Sequence, residues 1–294
     1  MKKITTNMLL LLSGVLLASC EKPILENEPK VKAGEMNIVF NVSAIEMVPF
    51  PALSPQSRSM VSIDQVCSRI SLALFKGEEK VKSVNQTRRD AHFGRLTVTV
   101  PKGTYKVVII AHNGAGTATI SSPSKIKFTN NKVTDTFYYC GDVTVEEAGQ
   151  QTLTLERAVA MFQLNISDAM PEKIARLVFR YTGGSSTFDA VSGQGCIKSK
   201  EMETREVSAE QYGKPSSFQI YTFPRADSQE LRIQVSAESK TGEEVIKREF
   251  LEVPIQKGQI ARYTGNFFDG YVDAQSRELG LQVDTVWKRI ERFY

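Results

Sequence analysis

The feature that most constrains the fold is a stretch near the middle of the chain, residues 152–167, in which side chains alternate in character. Leu153 and Leu155 share one face of its first half. The second half places four apolar residues on one face: Ala160, Phe162, Leu164 and Ile166. A period of two over this length is typical of half-buried β-strands. Only residues 156–159 separate the two halves, without Gly or Pro, so we predict that the last strand of one β-domain runs almost directly into the first strand of a second.

The N-terminus has the pattern of a secretory signal. Two lysines precede a mostly apolar run over residues 8–17, and Leu-Ala-Ser then leads into Cys20. A basic start, a short apolar core and small residues mark a signal peptide, and the run is too short to span a bilayer. The sequence Leu-Ala-Ser-Cys resembles the bacterial lipobox, in which the cysteine receives diacylglycerol and becomes the first residue. We predict a lipoprotein signal peptide over residues 1–19 and lipid attachment at Cys20; the alternative is an ordinary signal peptide with a chance cysteine.

The chain after the signal divides into a tether and a folded body. Residues 20–33 are polar and charged and contain two prolines, which is typical of a flexible tether. The remaining length accommodates two domains of ordinary size. We predict an N-terminal β-sandwich over residues 34–156 and a C-terminal β-sandwich over residues 157–294, because short alternating segments separated by turn residues recur along both halves.

In the first half, an opening strand runs from Met36 to Val42 and a Pro- and Ser-rich loop follows it. We place Arg58 and Arg69 in this loop. Residues 105–111 are apolar on both faces, which predicts a central strand. Further strands are predicted over residues 70–74, 96–100, 126–128, 137–139 and 143–145.

Alternating segments also predict strands in the second half of the chain. Residues 201–211 are charged and poorly periodic, and predict a long loop or a short helix. The final segment alternates again, with Leu279, Leu281, Val283, Thr285 and Trp287 on one face. Other strands are predicted over residues 177–181, 218–223, 231–237, 245–253 and 260–268.

Composition and motifs argue against several classes of function. The net charge is only +4 and the basic residues are scattered, so we expect no nucleic-acid partner. Neither His92 nor His112 has a metal-ligating residue at the required spacing, and no nucleophile elbow or phosphate-binding loop is present. We therefore predict no catalytic residues, no cofactor and no metal, and a protein that is not an enzyme.

Three cysteines remain in the body of the chain: Cys67, Cys140 and Cys196. An odd number at wide spacing predicts neither a disulfide framework nor a zinc site. We expect them to be small buried or loop residues; the alternative is that one pair forms a disulfide outside the cytoplasm.

Several segments resemble the fimbrillin superfamily of Bacteroidetes-type (type V) fimbriae. They are the signal-to-lipobox start, "KGTYKVVIIAHNG", "TFYYCGDVTV" with the following "QTLTLERAVAMFQLNIS", and "IQKGQIARYTGNFF". The chain is most similar to the FimB-like anchor subunits. The resemblance implies an all-β fold of two tandem transthyretin-like β-sandwiches and assembly by donor-strand exchange, a form of β-augmentation.

The resemblance also implies a role and partners. It predicts the lipid-anchored base of a fimbria, in the outer membrane at the cell surface, with other fimbrillin subunits as partners. An anchor keeps its first strand, whereas stalk subunits are cut after a basic residue in the following loop, which makes Arg58 the candidate processing site. The candidate donor strand is the final segment that contains Leu279 and Trp287; the alternative is that this strand completes its own second domain. The alternatives are a stalk or tip fimbrillin or adhesin, and a surface lipoprotein that binds glycan or a host ligand through sandwich loops.

Overall fold

The computed structural model describes residues 31–42, 44–47 and 59–269 of the 294-residue chain. The strands of the first half are β1 Glu35–Asn41, β2 Ala44–Met47, β3 Ser59–Ser62, β4 Arg69–Lys76, β5 Glu79–Thr87, β6 Arg95–Pro101, β7 Gly103–His112, β8 Thr119–Ser122, β9 Lys125–Lys127, β10 Thr136–Val145, β11 Gly149–Thr152 and β12 Glu156–Arg157. Those of the second half are β13 Ala160–Ile166, β14 Ile174–Thr182, β15 Thr187–Asp189, β16 Gln194–Gly195, β17 Lys200–Glu206, β18 Ser216–Thr222, β19 Glu230–Ser239, β20 Glu244–Pro254 and β21 Ile260–Gly265. The helices of the described residues are short: α1 Ile63–Val66 and two 3₁₀ turns, Thr129–Asn131 and Ala209–Gln211. None of them is long and apolar enough to cross a membrane.

The first half of the chain forms one sandwich. Its smaller sheet has the order β11-β1-β6, and its larger sheet has the order β12-β10-β7-β4-β5. The apolar faces of the two sheets share one core, which includes Phe40, Leu72, Val98, Ile109 and Phe137. Every second side chain of β4 and β7 points into this core, because successive side chains of a strand point to opposite faces of the sheet.

The second half repeats the same arrangement. Its smaller sheet has the order β18-β13-β21 and its larger sheet β17-β14-β19-β20. Counted within each sandwich, the first strand is the centre of the smaller sheet, antiparallel to the fourth strand and parallel to the seventh. The two halves therefore share one strand topology, and each has its own hydrophobic core.

A fifth sheet, to which both halves contribute strands, joins the two sandwiches. The β8–β9 hairpin extends from the first half, β15 and β16 extend from the second, and they pair in the order β16-β15-β9-β8. We call this the bridging sheet. Its register places Phe188 opposite Ile126. The bridging sheet covers a third apolar cluster, which includes Phe75, Ile110 and Phe223, so β4 and β7 are buried on both faces.

An all-β chain was predicted and is confirmed. The double burial of residues 105–111, which lie in β7, is confirmed as well. The transthyretin-like assignment and the division into domains of residues 34–156 and 157–294 stay predictions. The signal peptide and most of the tether lie outside the described residues.

Three sequence predictions were wrong in detail. Residues 200–206 form the strand β17, not a loop or helix; the strand lies at a sheet edge, and the residues on its less exposed face are all charged: Glu201, Glu203 and Arg205. The two short strands expected at 137–139 and 143–145 are one strand, β10, which passes through Gly141. Arg69 does not lie in the loop after the opening strand; it begins β4 and its Nε donates to the Gly114 carbonyl at 2.9 Å.

Candidate functional site: the first strand and its groove

β1 lies in the middle of the smaller sheet of the first sandwich. Its side chains alternate, and Ile38, Phe40 and Val42 point into the core at 5%, 0% and 0% exposure. Phe40 is opposite Leu96 on the antiparallel side and opposite Gln151 on the parallel side. Both edges of β1 are therefore hydrogen-bonded, and removal of the strand would leave an apolar groove between β6 and β11.

Backbone contacts hold the C-terminal end of β1 on both sides. The Leu153 N–H donates to the Asn41 carbonyl at 3.0 Å, and the Val42 N–H donates to the Gly94 carbonyl at 2.7 Å. Gly94 has φ +95°, and a Cβ there would lie 2.6 Å from the Val42 oxygen. Glycine is the one residue that adopts this φ and allows this short distance without strain. The backbone at Gly94 therefore lies in close contact with the end of β1.

The join between the sandwiches is held by charged groups as well as by the bridging sheet. Arg157 makes a bidentate ion pair with Asp135, with Nε–Oδ1 and Nη2–Oδ2 distances of 2.8 and 2.9 Å, and its guanidinium lies 4.9 Å from the centre of the Phe137 ring. Lys257, from the second half, donates to the Tyr138 hydroxyl at 3.3 Å and to the Glu156 carboxylate at 3.4 Å. These contacts fix the short segment between β11 and β13.

The second sandwich closes its own core shortly after β21. Phe267 and Phe268 are 0% and 7% exposed, and the Asp168 carboxylate accepts their backbone N–H groups at 2.9 and 2.6 Å. The second sandwich has seven strands, three in one sheet and four in the other, and the last of them ends at Gly265. Among the described residues it has no counterpart of β12, the strand that extends the larger sheet of the first sandwich.

The buried histidine, His112, is hydrogen-bonded within the fold. His112 is 1% exposed, and its Nδ1 accepts the Gly114 N–H at 2.9 Å. Burial, and secondarily the charge of Arg69, lowers the pKa of His112 to about 4, so the ring is neutral at pH 7. No group of three or more metal-ligating side chains occurs among the described residues.

The three cysteines of the body are free thiols. Cys67 is buried, Cys140 is partly buried and Cys196 is exposed. Burial raises the pKa of each thiol. A raised pKa disfavours the thiolate, which is the nucleophilic form, so these side chains are poorly suited to covalent catalysis.

The residues that the sequence singled out are not brought together in the described part of the chain. Cys20, Arg58 and the segment with Leu279, Leu281, Val283, Thr285 and Trp287 all lie outside the described residues. The opening strand, by contrast, occupies the central position described above. Sequence reasoning missed the bridging sheet, because β15 and β16 are only three and two residues long and carry no readable period.

Comparison with known proteins gave one family and several solved structures. The model of a family of unknown function, DUF6562, matches residues 29–288. No curated protein matches the chain.

The solved structures include fimbrial proteins and candidate adhesins. The fimbrial anchor protein Mfa2 from Porphyromonas gingivalis is 8% identical over 78% of this chain and 89% of its own, with a TM-score of 0.43. A candidate adhesin from Bacteroides ovatus is 13% identical over 81% and 88%, with a TM-score of 0.46. A candidate polysaccharide-binding protein (DUF1812) from Bacteroides thetaiotaomicron is 9% identical over 78% and 90%, with a TM-score of 0.48. At these identities and TM-scores no role is transferred to this chain.

Proposed function

This chain belongs to the DUF6562 family, whose function is unknown, and we propose that it is a fimbrial subunit, the lipid-anchored base of a fimbria on the cell surface. The observation that carries the proposal is the position of β1. A subunit that keeps its first strand as the central, doubly paired strand of a sheet has no open groove in that sandwich for another subunit, as the base of a fimbria requires.

The location of β1 relative to the N-terminus supports the same role. Only residues 21–34 separate the lipobox cysteine, Cys20, from the start of β1. If the loop were cut after Arg58 and β1 then left the sandwich, the body would lose its covalent link to the lipid. If the loop is cut, anchoring of the body at Cys20 therefore requires that β1 stays in the sandwich.

The closed core of the second sandwich supports the donor part of the proposal. Because Phe267 and Phe268 complete that core, the amphipathic segment from Leu279 to Trp287 is not needed to fill it. We propose that this segment is the donor strand, which adds to the groove of the neighbouring fimbrillin subunit. Main-chain hydrogen bonds would give the joint its strength and alternate side chains its specificity, as in other cases of β-augmentation.

The lipid anchor is tested by substitution of Cys20. Cys20→Ala is expected to abolish incorporation of radiolabelled palmitate and to release the protein from the membrane fraction, because three acyl chains exceed what stable anchoring needs. Cys67→Ala, which changes a buried thiol in the body, is the control and should be labelled like the wild type. Equal labelling of the wild type and Cys20→Ala would refute the anchor.

A further inference from the structure

The outward face of the smaller sheet of the second sandwich carries an ordered set of polar side chains, of which only one is charged. The register aligns Gln219, Gln163 and Arg262 in one row across β18, β13 and β21. Ser217, Asn165 and Thr264 form the next row. We call these six residues the amide face. Among the outward residues of the three strands none is acidic, and Arg262 is the single charged group.

Five residues of the amide face are linked in one directed chain of hydrogen bonds. Arg262 Nε donates to Gln163 Oε1 at 2.8 Å, and Gln163 Nε2 donates to Ser217 Oγ at 3.2 Å. Ser217 Oγ then donates to Asn165 Oδ1 at 2.8 Å, and Asn165 Nδ2 donates to Thr264 Oγ1 at 3.2 Å. Every link runs in the same direction, and bonds arranged in this way polarise one another.

The two ends of this chain are donors. Among the described residues, Arg262 makes no other hydrogen bond, which leaves its Nη groups available, and the Thr264 hydroxyl accepts from Asn165 and keeps its own proton to donate. The side chains in between are held by one another. Long side chains that are already ordered lose less rotational freedom when they bind a ligand.

The opposite face of the same sandwich is very different. On the larger sheet, Arg176 pairs with Glu238 at 2.8 Å, and Arg180 approaches the same carboxylate at 3.6 Å. Glu244, Lys247 and Glu249 continue this charged surface on β20. An ordinary solvated sheet face is of this charged kind, so the near-absence of charge on the amide face is a local property rather than the composition of the whole domain.

The first sandwich repeats the pattern at the equivalent position. The outward residues of its smaller sheet are again mostly hydroxyl and amide side chains with one arginine: Asn37, Asn41, Arg95, Thr97, Thr99, Gln150 and Thr152, with Val39 at the centre. Glu35 and Pro101 lie at one end of this face. Thr99 Oγ1 donates to Asn37 Oδ1 at 2.7 Å, and Asn41 Nδ2 donates to Gln150 Oε1 at 3.2 Å. Polar and mostly uncharged side chains therefore occupy the outward face of the smaller sheet in both sandwiches.

We propose that the amide face of the second sandwich binds an extended glycan that carries carboxylate groups. Amide and hydroxyl side chains both donate and accept hydrogen bonds, which matches the hydroxyl groups of linked sugars. A guanidinium recognises a carboxylate through two parallel hydrogen bonds, and the absence of acidic residues from the face avoids repulsion. The three strands of the face span roughly 10 Å and its two rows lie roughly 7 Å apart along them, which accommodates one or two linked sugar rings. This binding does not depend on the proposed role as a fimbrial base.

The test is a glycan array printed with uronic-acid, sialic-acid and neutral oligosaccharides, probed with the purified full chain. We expect carboxylated glycans to be bound and neutral ones to bind at least tenfold more weakly. Arg262→Ala should weaken binding of the carboxylated glycans at least tenfold, and Arg262→Lys should retain part of it, because Lys keeps the charge but loses the planar fork. Gln163→Ala, which breaks the hydrogen-bond chain next to Arg262, should also weaken binding.

Lys247→Ala is the matched control, since it removes one cation from the outward face of the larger sheet in the same sandwich. It should leave binding unchanged, and thermal unfolding should show that all four variants are folded. The proposal is overturned if no carboxylated glycan binds better than neutral ones, if Arg262→Ala binds like the wild type, or if Lys247→Ala weakens binding as much as Arg262→Ala does.

Discussion

A chain that ends at Arg277 is expected to fold and to be lipidated, yet to leave the cells without attached fimbriae. It folds because the core of the second sandwich is closed by Phe267 and Phe268, whose N–H groups bond to Asp168. It loses fimbriae because the proposed donor strand, from Leu279 to Trp287, is missing. Burial of each large apolar side chain stabilises by roughly 1.5–3 kcal/mol, so several of them give a long-lived joint after the cost of ordering is subtracted.

Two measurements on the truncated protein separate the possible outcomes. Thermal unfolding of the purified chain should match the full chain, and electron microscopy should show fimbriae in the medium rather than on cells. Leu281→Asp, on the proposed donor face, should reproduce the loss, whereas Gln282→Asp, on the other face, should not. A truncated protein that unfolds would assign the segment to its own domain, and one that folds and still retains fimbriae would exclude the donor role.

Phe40→Ala is expected to destabilise the first sandwich by about 3–5 kcal/mol, the usual cost of truncating a buried aromatic residue. Phe40 is 0% exposed and lies near the C-terminal end of β1, which is hydrogen-bonded to a strand on each side. The loss should appear as a lower midpoint in urea unfolding of the purified chain. Trypsin should also cut the region after β1 faster in this variant, because the strand is held less tightly in its groove.

Asn41→Ala is the control for Phe40→Ala. Asn41 lies on the same strand but faces outward, and its side chain makes one exposed hydrogen bond to Gln150. Surface substitutions of this kind change the free energy of unfolding by within about 0.5 kcal/mol. If Phe40→Ala unfolded at the same urea concentration as Asn41→Ala, β1 would not be an integral part of the core.

Much of the fold follows from the period of the sequence. The core-facing side of residues 160–166 was predicted because apolar residues alternate there, and the central position of residues 105–111 because the apolar run is continuous. The side chains of both segments are buried accordingly. β5 was missed because it is an edge strand with few buried side chains, held by backbone bonds to β4. β17 is also an edge strand, and it was misread because the residues on its less exposed face, Glu201, Glu203 and Arg205, are charged and hide the alternation.

The bridging sheet and the amide face could not be predicted from the sequence, for a different reason. Each depends on residues that are far apart in the chain, such as Ile126 with Phe188, or Gln163 with Ser217 and Arg262. Single strands show which face a residue takes, but not which strand lies beside it. The central position of β1 likewise required the parallel pairing with β11, although its alternation was visible from Met36 onward.

The central claim is that β1 stays in its own sandwich in the working protein, and mass spectrometry of this protein from assembled fimbriae tests it most directly. The account predicts peptides from the whole region between Cys20 and Arg58, with the N-terminal peptide carrying the lipid. Recovery of a chain that begins at Ser59, with no peptide from Met36 to Val42, would contradict the account and identify a stalk or tip subunit.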